Sequence, residues 1–239
     1  MIGQLKKSLE KLVFAGIVTL VLAGCQKEAR ATLAETYFPL RVGNSWTYTN
    51  YVDPGDPGGS PRIELTFTII GTEEIDGHTY YKFNDYFNIY PPPPNGEWPV
   101  TEGREVLFRY DSIADVVIKC PIGGTPQMIR YDFSDNEWDP GFAIGWCLLK
   151  QSGVRCNVPA GEFSDCVNFG FGRSYSNPDY YTYGEYLAPG VGTIKYVRPG
   201  SGSSEGERVT FVLQSYTIIP EPSTILLLTL GGLLLRRRN

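Results

Sequence analysis

The sequence predicts an all-β protein: a single antiparallel sandwich, barrel or half-barrel domain, with an apolar helix at each terminus. Three observations carry this expectation. Short runs alternate apolar and polar residues at period 2, clusters of Gly, Pro and Asp punctuate them, and no segment between the termini sustains a 3.6-residue period.

The elements follow in order. Trp46, Tyr48 and Asn50 alternate with Thr47, Thr49 and Tyr51, and Ile63, Leu65, Phe67 and Ile69 repeat the pattern. The turn-rich stretch from Asp53 to Gly59 separates these two strands. Asp76-Gly77 marks a hairpin, because a type I′ turn needs positive φ at both central residues, and an aromatic-rich strand is expected after it over Thr79 to Ile89. Further strands are expected over Glu105 to Tyr110, Val116 to Cys120, Met128 to Phe133, Gly153 to Val158, Phe163 to Phe171, Tyr180 to Leu187, Thr193 to Val197 and Arg208 to Tyr216. Pro91 to Pro94, Gly123-Gly124 and Pro189-Gly190 supply the turns between them. Strands evenly spaced by such turns argue for one antiparallel domain over residues 37–217.

The termini read differently. Lys6, Lys7 and Lys11 precede 13 apolar or small residues, Leu12 to Gly24, too short to span a bilayer but right for the h-region of an export signal. The run ends Leu22-Ala23-Gly24-Cys25, which resembles the lipobox of bacterial lipoproteins. That resemblance implies a signal peptide over 1–24, a lipid on Cys25, and a tether over 25–36; Gln26 after the cysteine favours the outer membrane. At the other end, Pro220-Glu221-Pro222 precedes the apolar run Ile225 to Leu235, which stops at Arg236-Arg237-Arg238. The three parts resemble a PEP-CTERM sorting signal over 220–239, which implies recognition by a membrane enzyme of the exosortase type and association with exopolysaccharide. Physically, the prolines break the preceding strand, the apolar segment enters the membrane and the arginines stay on its cytoplasmic side. The apolar core of 11 residues extends only ~16 Å as a helix, which suits a transient sorting signal better than a permanent span.

Within the domain, Tyr37-Phe38-Pro39-Leu40 and Gly43-Asn44-Ser45-Trp46-Thr47-Tyr48 resemble the opening of a group of bacterial envelope lipoproteins. Val158-Pro159-Ala160-Gly161-Glu162-Phe163 and the stretch Tyr186 to Lys195 resemble the closing hairpins of the same group. This implies a twisted antiparallel sheet in the envelope and carries no assigned reaction. The residues themselves read as structural: Pro189, Gly190 and Gly192 shape a tight turn, and Trp46 anchors a core.

Composition narrows the function. The 239 residues carry a formal charge of -5. Setting aside Lys6, Lys7, Lys11 and Glu10 at the front, and Arg236, Arg237, Arg238 and Glu221 at the back, brings the exported part near -9. Such an acidic domain is not expected to bind nucleic acid, which needs a basic patch to displace counterions. A single histidine, His78, argues against multi-His metal sites. It lies in a hairpin turn, remote from the serine-elbow pattern Gly202-Ser203-Ser204-Glu205-Gly206, which reads as a Gly/Ser linker. Asp132, Asp135, Glu137 and Asp139 could ligate calcium, but Pro140 and Trp146 stand where an EF-hand loop needs Gly and Glu, so a solvated turn is expected. Tyr90, Trp98, Tyr175, Tyr180, Tyr181 and Tyr183 could stack on sugars, and cross-strand packing is the commoner role.

With Cys25 lipidated, Cys120, Cys147, Cys156 and Cys166 allow three disulfide pairings in an oxidising compartment. Cys147 with Cys156 and Cys120 with Cys166 is the favoured set. Their spacings contain no short C-x₂₋₄-C, which argues against zinc, and neither metal nor cofactor is expected. The expectation is therefore an exported, membrane- or surface-anchored, non-enzymatic β protein of the cell envelope or exopolysaccharide matrix. Its partners would be the membrane, signal peptidase and exosortase-type enzymes, and exopolysaccharide. The alternatives are a periplasmic carrier of hydrophobic ligands and an envelope hydrolase, the latter needing two convergent carboxylates in a cleft.

Overall fold

A computed structural model describes residues 31–51, 63–87, 101–121, 128–135, 137–138, 147–172, 181–199 and 208–220. Both terminal signals lie outside these residues, apart from Pro220. Among the described residues, no helix is long and apolar enough to cross a membrane.

The packed unit begins at Leu33. A short helix, α1 (Leu33–Tyr37), is followed by twelve strands: β1 (Ser45–Tyr51), β2 (Glu64–Ile75), β3 (His78–Phe83), β4 (Val106–Asp111), β5 (Val116–Pro121), β6 (Met128–Asp132), β7 (Glu137–Trp138), β8 (Cys147–Val158), β9 (Gly161–Gly172), β10 (Tyr181–Ala188), β11 (Gly192–Pro199) and β12 (Arg208–Thr217). All pair antiparallel in one sheet of order β6-β5-β4-β3-β2-β1-β12-β11-β10-β9-β8-β7. The sheet is open, with β6 and β7 as its edges, so of the architectures expected the closed barrel is not the one adopted.

Local rules account for the turns. Asp76 (φ 52) and Gly77 (φ 76) form the positive-φ pair that the β2–β3 hairpin requires. The strand expected over Thr79 to Ile89 instead ends at Phe83. There the Asp85 carboxylate accepts the amides of Tyr86 (2.8 Å) and Gly103 (3.0 Å), side-chain bonds that compete with the strand ladder. The chain turns inward, and Tyr86 and Phe87 become core residues. β8 starts earlier than Gly153, the expected beginning, and runs the full length of β9 opposite it. The acidic turn is built on Asp132, whose Oδ1 accepts the amides of Ser134 (2.8 Å) and Asp135 (3.1 Å) and the Ser134 hydroxyl (2.7 Å). Glu137, expected in that turn, lies in the short strand β7.

Bulges add twist to an antiparallel sheet. Register shifts occur in the β1–β12, β2–β3, β5–β6, β8–β9, β9–β10 and β10–β11 pairs, and the sheet rolls until β6 faces β9 and β10 across the core. Tyr131 of β6 packs 4.9 Å, centroid to centroid, from Phe169 of β9. The interior is filled by rings at packing distance. Phe87 stacks on Tyr196 at 4.2 Å, Phe67 meets Phe87 edge-on at 4.8 Å, and Trp46 stacks on Phe83 at 5.8 Å. Phe38, just after α1, touches Phe83, Tyr86, Phe108 and Tyr131 and plugs the roll. Tyr110 holds this plug by accepting the Leu40 amide (2.7 Å) and donating its hydroxyl to the Phe38 carbonyl.

Candidate functional site

Two features stand out against this aromatic interior: a network of buried charges, and the place where the chain enters and leaves the sheet.

The charges belong to three strands and to the segment after Thr101. On β10, Tyr183, Glu185 and Leu187 alternate inward, so Glu185 occupies a core position by strand period alone. Arg130 reaches it through a backbone irregularity. In the β5–β6 register, Val117 pairs with Tyr131 and Ile118 with Ile129, leaving Arg130 as the extra residue of a bulge. A bulge breaks the strict alternation of faces, so the consecutive Arg130 and Tyr131 both engage Glu185. Arg130 Nη2 forms an ion pair with one Glu185 carboxylate oxygen, and the Tyr131 hydroxyl donates to the other. Arg130 and Glu185 are both fully buried. Lys119 of β5, also fully buried, pairs with the buried carboxylate of Glu102.

Hydroxyls extend the network. Tyr86 Oη lies 3.1 Å from Tyr131 Oη and 2.9 Å from Thr193 Oγ1, while the Tyr48 hydroxyl donates to the Thr193 carbonyl (2.7 Å). The Arg130 guanidinium also sits over three rings, 5.3 Å from Tyr86, 5.5 Å from Tyr131 and 5.6 Å from Phe171. Its Nε and Nη1 have no hydrogen-bond partner among the described residues.

Burial sets the electrostatics. It pushes the Glu185 carboxyl up from the usual carboxylate range, against the pull of Arg130, Tyr131 and Lys119. It drives Lys119 well below the ordinary ammonium value, helped by the like charge of Arg130. The phenols of Tyr48, Tyr86 and Tyr131 are all raised, chiefly by burial and then by neighbouring acidic groups. The two buried carboxylates therefore each face their own cation. Such pairs tie β6 to β10 and β5 to the segment after Thr101, holding the roll in one arrangement.

The second feature is the junction of the chain ends. β1 starts at Ser45 opposite Thr217, where β12 ends. The buried Asn44 accepts the Ile219 amide at its Oδ1 (2.8 Å) and donates Nδ2 to the Pro39 carbonyl (2.9 Å). Arg41 Nη1 donates to the Ile219 carbonyl (3.0 Å). Gly43 has φ +92, and a Cβ there would come 3.3 Å from the Ile219 side chain. The last residues before Pro220 are thus held against the first loop of the domain.

Most of the residues singled out from the sequence can be placed. Cys25, Glu221, Pro222, Arg236, Arg237 and Arg238 lie outside the described residues, as do Tyr90, Trp98, Tyr175, Tyr180, Asp139 and the Gly202 to Gly206 stretch. His78 is exposed at the head of β3. Tyr183 is buried, the packing role rather than the stacking one. The favoured disulfide set needs correction. Cys147 and Cys156 lie on one strand, β8, nine residues apart, roughly 30 Å at the usual strand rise and far beyond disulfide reach. Cys120 packs with Tyr80 and Leu107 in a small cluster separate from the main core that contains Cys166. Cys156 is half-buried and Cys166 buried, each with its thiol reduced. The sequence reading missed Arg130, Glu185, Lys119 and Glu102, although the alternation Tyr183-x-Glu185-x-Leu187 was a usable signal for one of them.

No family model matches the chain, and no curated protein matches it. Among solved structures, it is similar to a Bacteroides fragilis protein whose name describes an exported protein with a YmcC-like fold: 14% identity, 77% of this chain and 99% of that one, TM-score 0.41. It is also similar to a Parabacteroides distasonis protein named as a lipoprotein: 16% identity, 76% and 99% coverage, TM-score 0.34.

Proposed function

We propose that this chain is an exported, envelope-anchored, non-enzymatic β protein directed to the membrane by an N-terminal lipid and a C-terminal sorting tail. The observation that carries the reading is the hold on the C-terminal exit: Asn44 and Arg41, in the loop before β1, bind Ile219, so the chain reaches Pro220-Glu221-Pro222 from a fixed point on the domain. The lipidation motif at Cys25 supplies the second attachment of this reading. Signal peptidase and an exosortase-type enzyme are the processing partners this implies, and the tail's resemblance extends the partners to exopolysaccharide. The ring-filled interior, with each buried carboxylate beside a cation, favours a structural or surface-binding role over a carrier or a hydrolase.

Fractionation of the producing cells tests this. The wild-type protein is expected with membranes and in the detergent phase. Cys25→Ser and truncation after Ile219 should each weaken that association, and the two together should release the protein as a soluble species. A doubly altered chain that stays membrane-bound, or a wild-type chain found soluble in the cytoplasm, contradicts the reading.

A further inference from the structure

The β8–β9 hairpin carries two thiols that its register brings together. Val154 pairs with Cys166, and Cys156, two residues further along β8, pairs with Phe163. Residues diagonal across an antiparallel pair share a face. Here register shifts on both sides of Val154 and the left-handed Asp165 (φ 56) draw the two strands into an irregular turn of the ladder. Cys156 and Cys166 are therefore diagonal neighbours on one face of the hairpin. Cys166 is buried, with Sγ 3.7 Å from the Phe163 carbonyl and 3.8 Å from that of Ser164, whereas Cys156 is partly open and lines a surface pocket with Arg155, Asn157 and Glu162.

We propose that Cys156 and Cys166 are the chain's disulfide pair, closed by exchange with a disulfide donor of the glutathione-disulfide or protein-disulfide class. The accessible Cys156 thiolate attacks one sulfur of the donor, forming a mixed disulfide and expelling the donor's first thiolate. Cys166, losing its proton, then attacks Cys156 Sγ, forming the Cys156–Cys166 bond and expelling the donor's second thiolate. Two protein thiols are oxidised, the donor disulfide is reduced to two thiols, and two electrons pass. Burial pushes both thiols up, Cys166 to about 12, so Cys156 is the entry point and Cys166 the resolving group. The bond would cross-link the hairpin just behind its tip, where the Ala160 amide docks on the Leu213 carbonyl of β12 (3.0 Å). That the cell supplies a donor rests on the export reading; the pairing rests on geometry.

The test treats the purified, reduced full-length chain in detergent with glutathione disulfide, alkylates it under denaturing conditions and maps the peptides by mass spectrometry. The expected product joins the Cys156 and Cys166 peptides, two hydrogens lighter than their sum, while Cys120 and Cys147 are alkylated. In Cys166→Ser the reaction should stop at a glutathione adduct on Cys156. Full alkylation of both thiols in the wild type, or a link from either to Cys120 or Cys147, overturns the proposal. The same map of protein isolated from cells also reads the N-terminus, so a linked pair on an unprocessed chain would count against export and not against the disulfide.

Discussion

Arg130 shows how one residue's role depends on a single irregularity of the backbone. By strict alternation it would point away from Tyr131, and the bulge at Ile118–Val117 puts both on Glu185. A fully buried ion pair adds little net stability, because desolvation offsets most of its attraction, yet removing one partner strands the other charge. Arg130→Met is therefore expected to cost about 3–5 kcal/mol in denaturant unfolding, and Arg130→Met with Glu185→Leu to recover most of that loss. A double change as costly as the single one would show that the pair matters for more than mutual neutralisation. Little of this was legible beforehand. Glu185 sits at an inward position that alternation marks, whereas Arg130 could not be placed, since a bulge shifts the face of every residue beyond it and leaves no signature in residue type.

Among elements, the β10–β11 hairpin illustrates what sequence does reveal. Pro189, Gly190 and Gly192 were readable as a tight turn, and both glycines take positive φ (+73 and +98). The difference between them lies in three dimensions. A Cβ on Gly190 meets nothing within 4 Å, while one on Gly192 would sit 3.4 Å from Trp46 Nε1 and 3.5 Å from Pro39. That indole donates to the Val191 carbonyl at 2.5 Å, tying the turn to β1. Gly192→Ala should accordingly lower the thermal midpoint more than Gly190→Ala, with about 1–3 kcal/mol lost at Gly192 to backbone strain and crowding. Equal effects at both positions would mean that φ alone decides. Strand pairs joined by short turns were legible for the same reason, because the turn residues carry their own conformational requirement. The inward course of Tyr86 and Phe87 was not, because it depends on the Asp85 carboxylate finding two amides, one of them at Gly103.

At the scale of the whole molecule, the aromatic interior makes stability depend on alkaline pH. Tyr48, Tyr86, Tyr110 and Tyr131 all have phenols raised above the ordinary value of 10.0, each chiefly by burial. An unfolded chain loses these protons near pH 10 and the folded chain holds them, so the folded state binds more protons and stability falls as pH rises. The contribution is complete below pH 10 and is lost above it, at up to about 1.4 kcal/mol per pH unit for each tyrosine. The buried phenols should therefore add their share of the tyrosinate absorbance only as circular dichroism is lost above pH 10; complete ionisation of the tyrosines while the structure persists would contradict the buried network. The larger claim concerns the two terminal signals, and the mass of the mature protein tests it most directly. The account predicts an N-terminus at Cys25 carrying a lipid adduct and a chain that ends near Pro220-Glu221-Pro222. An intact chain beginning at Met1 and retaining Arg236, Arg237 and Arg238 would contradict it.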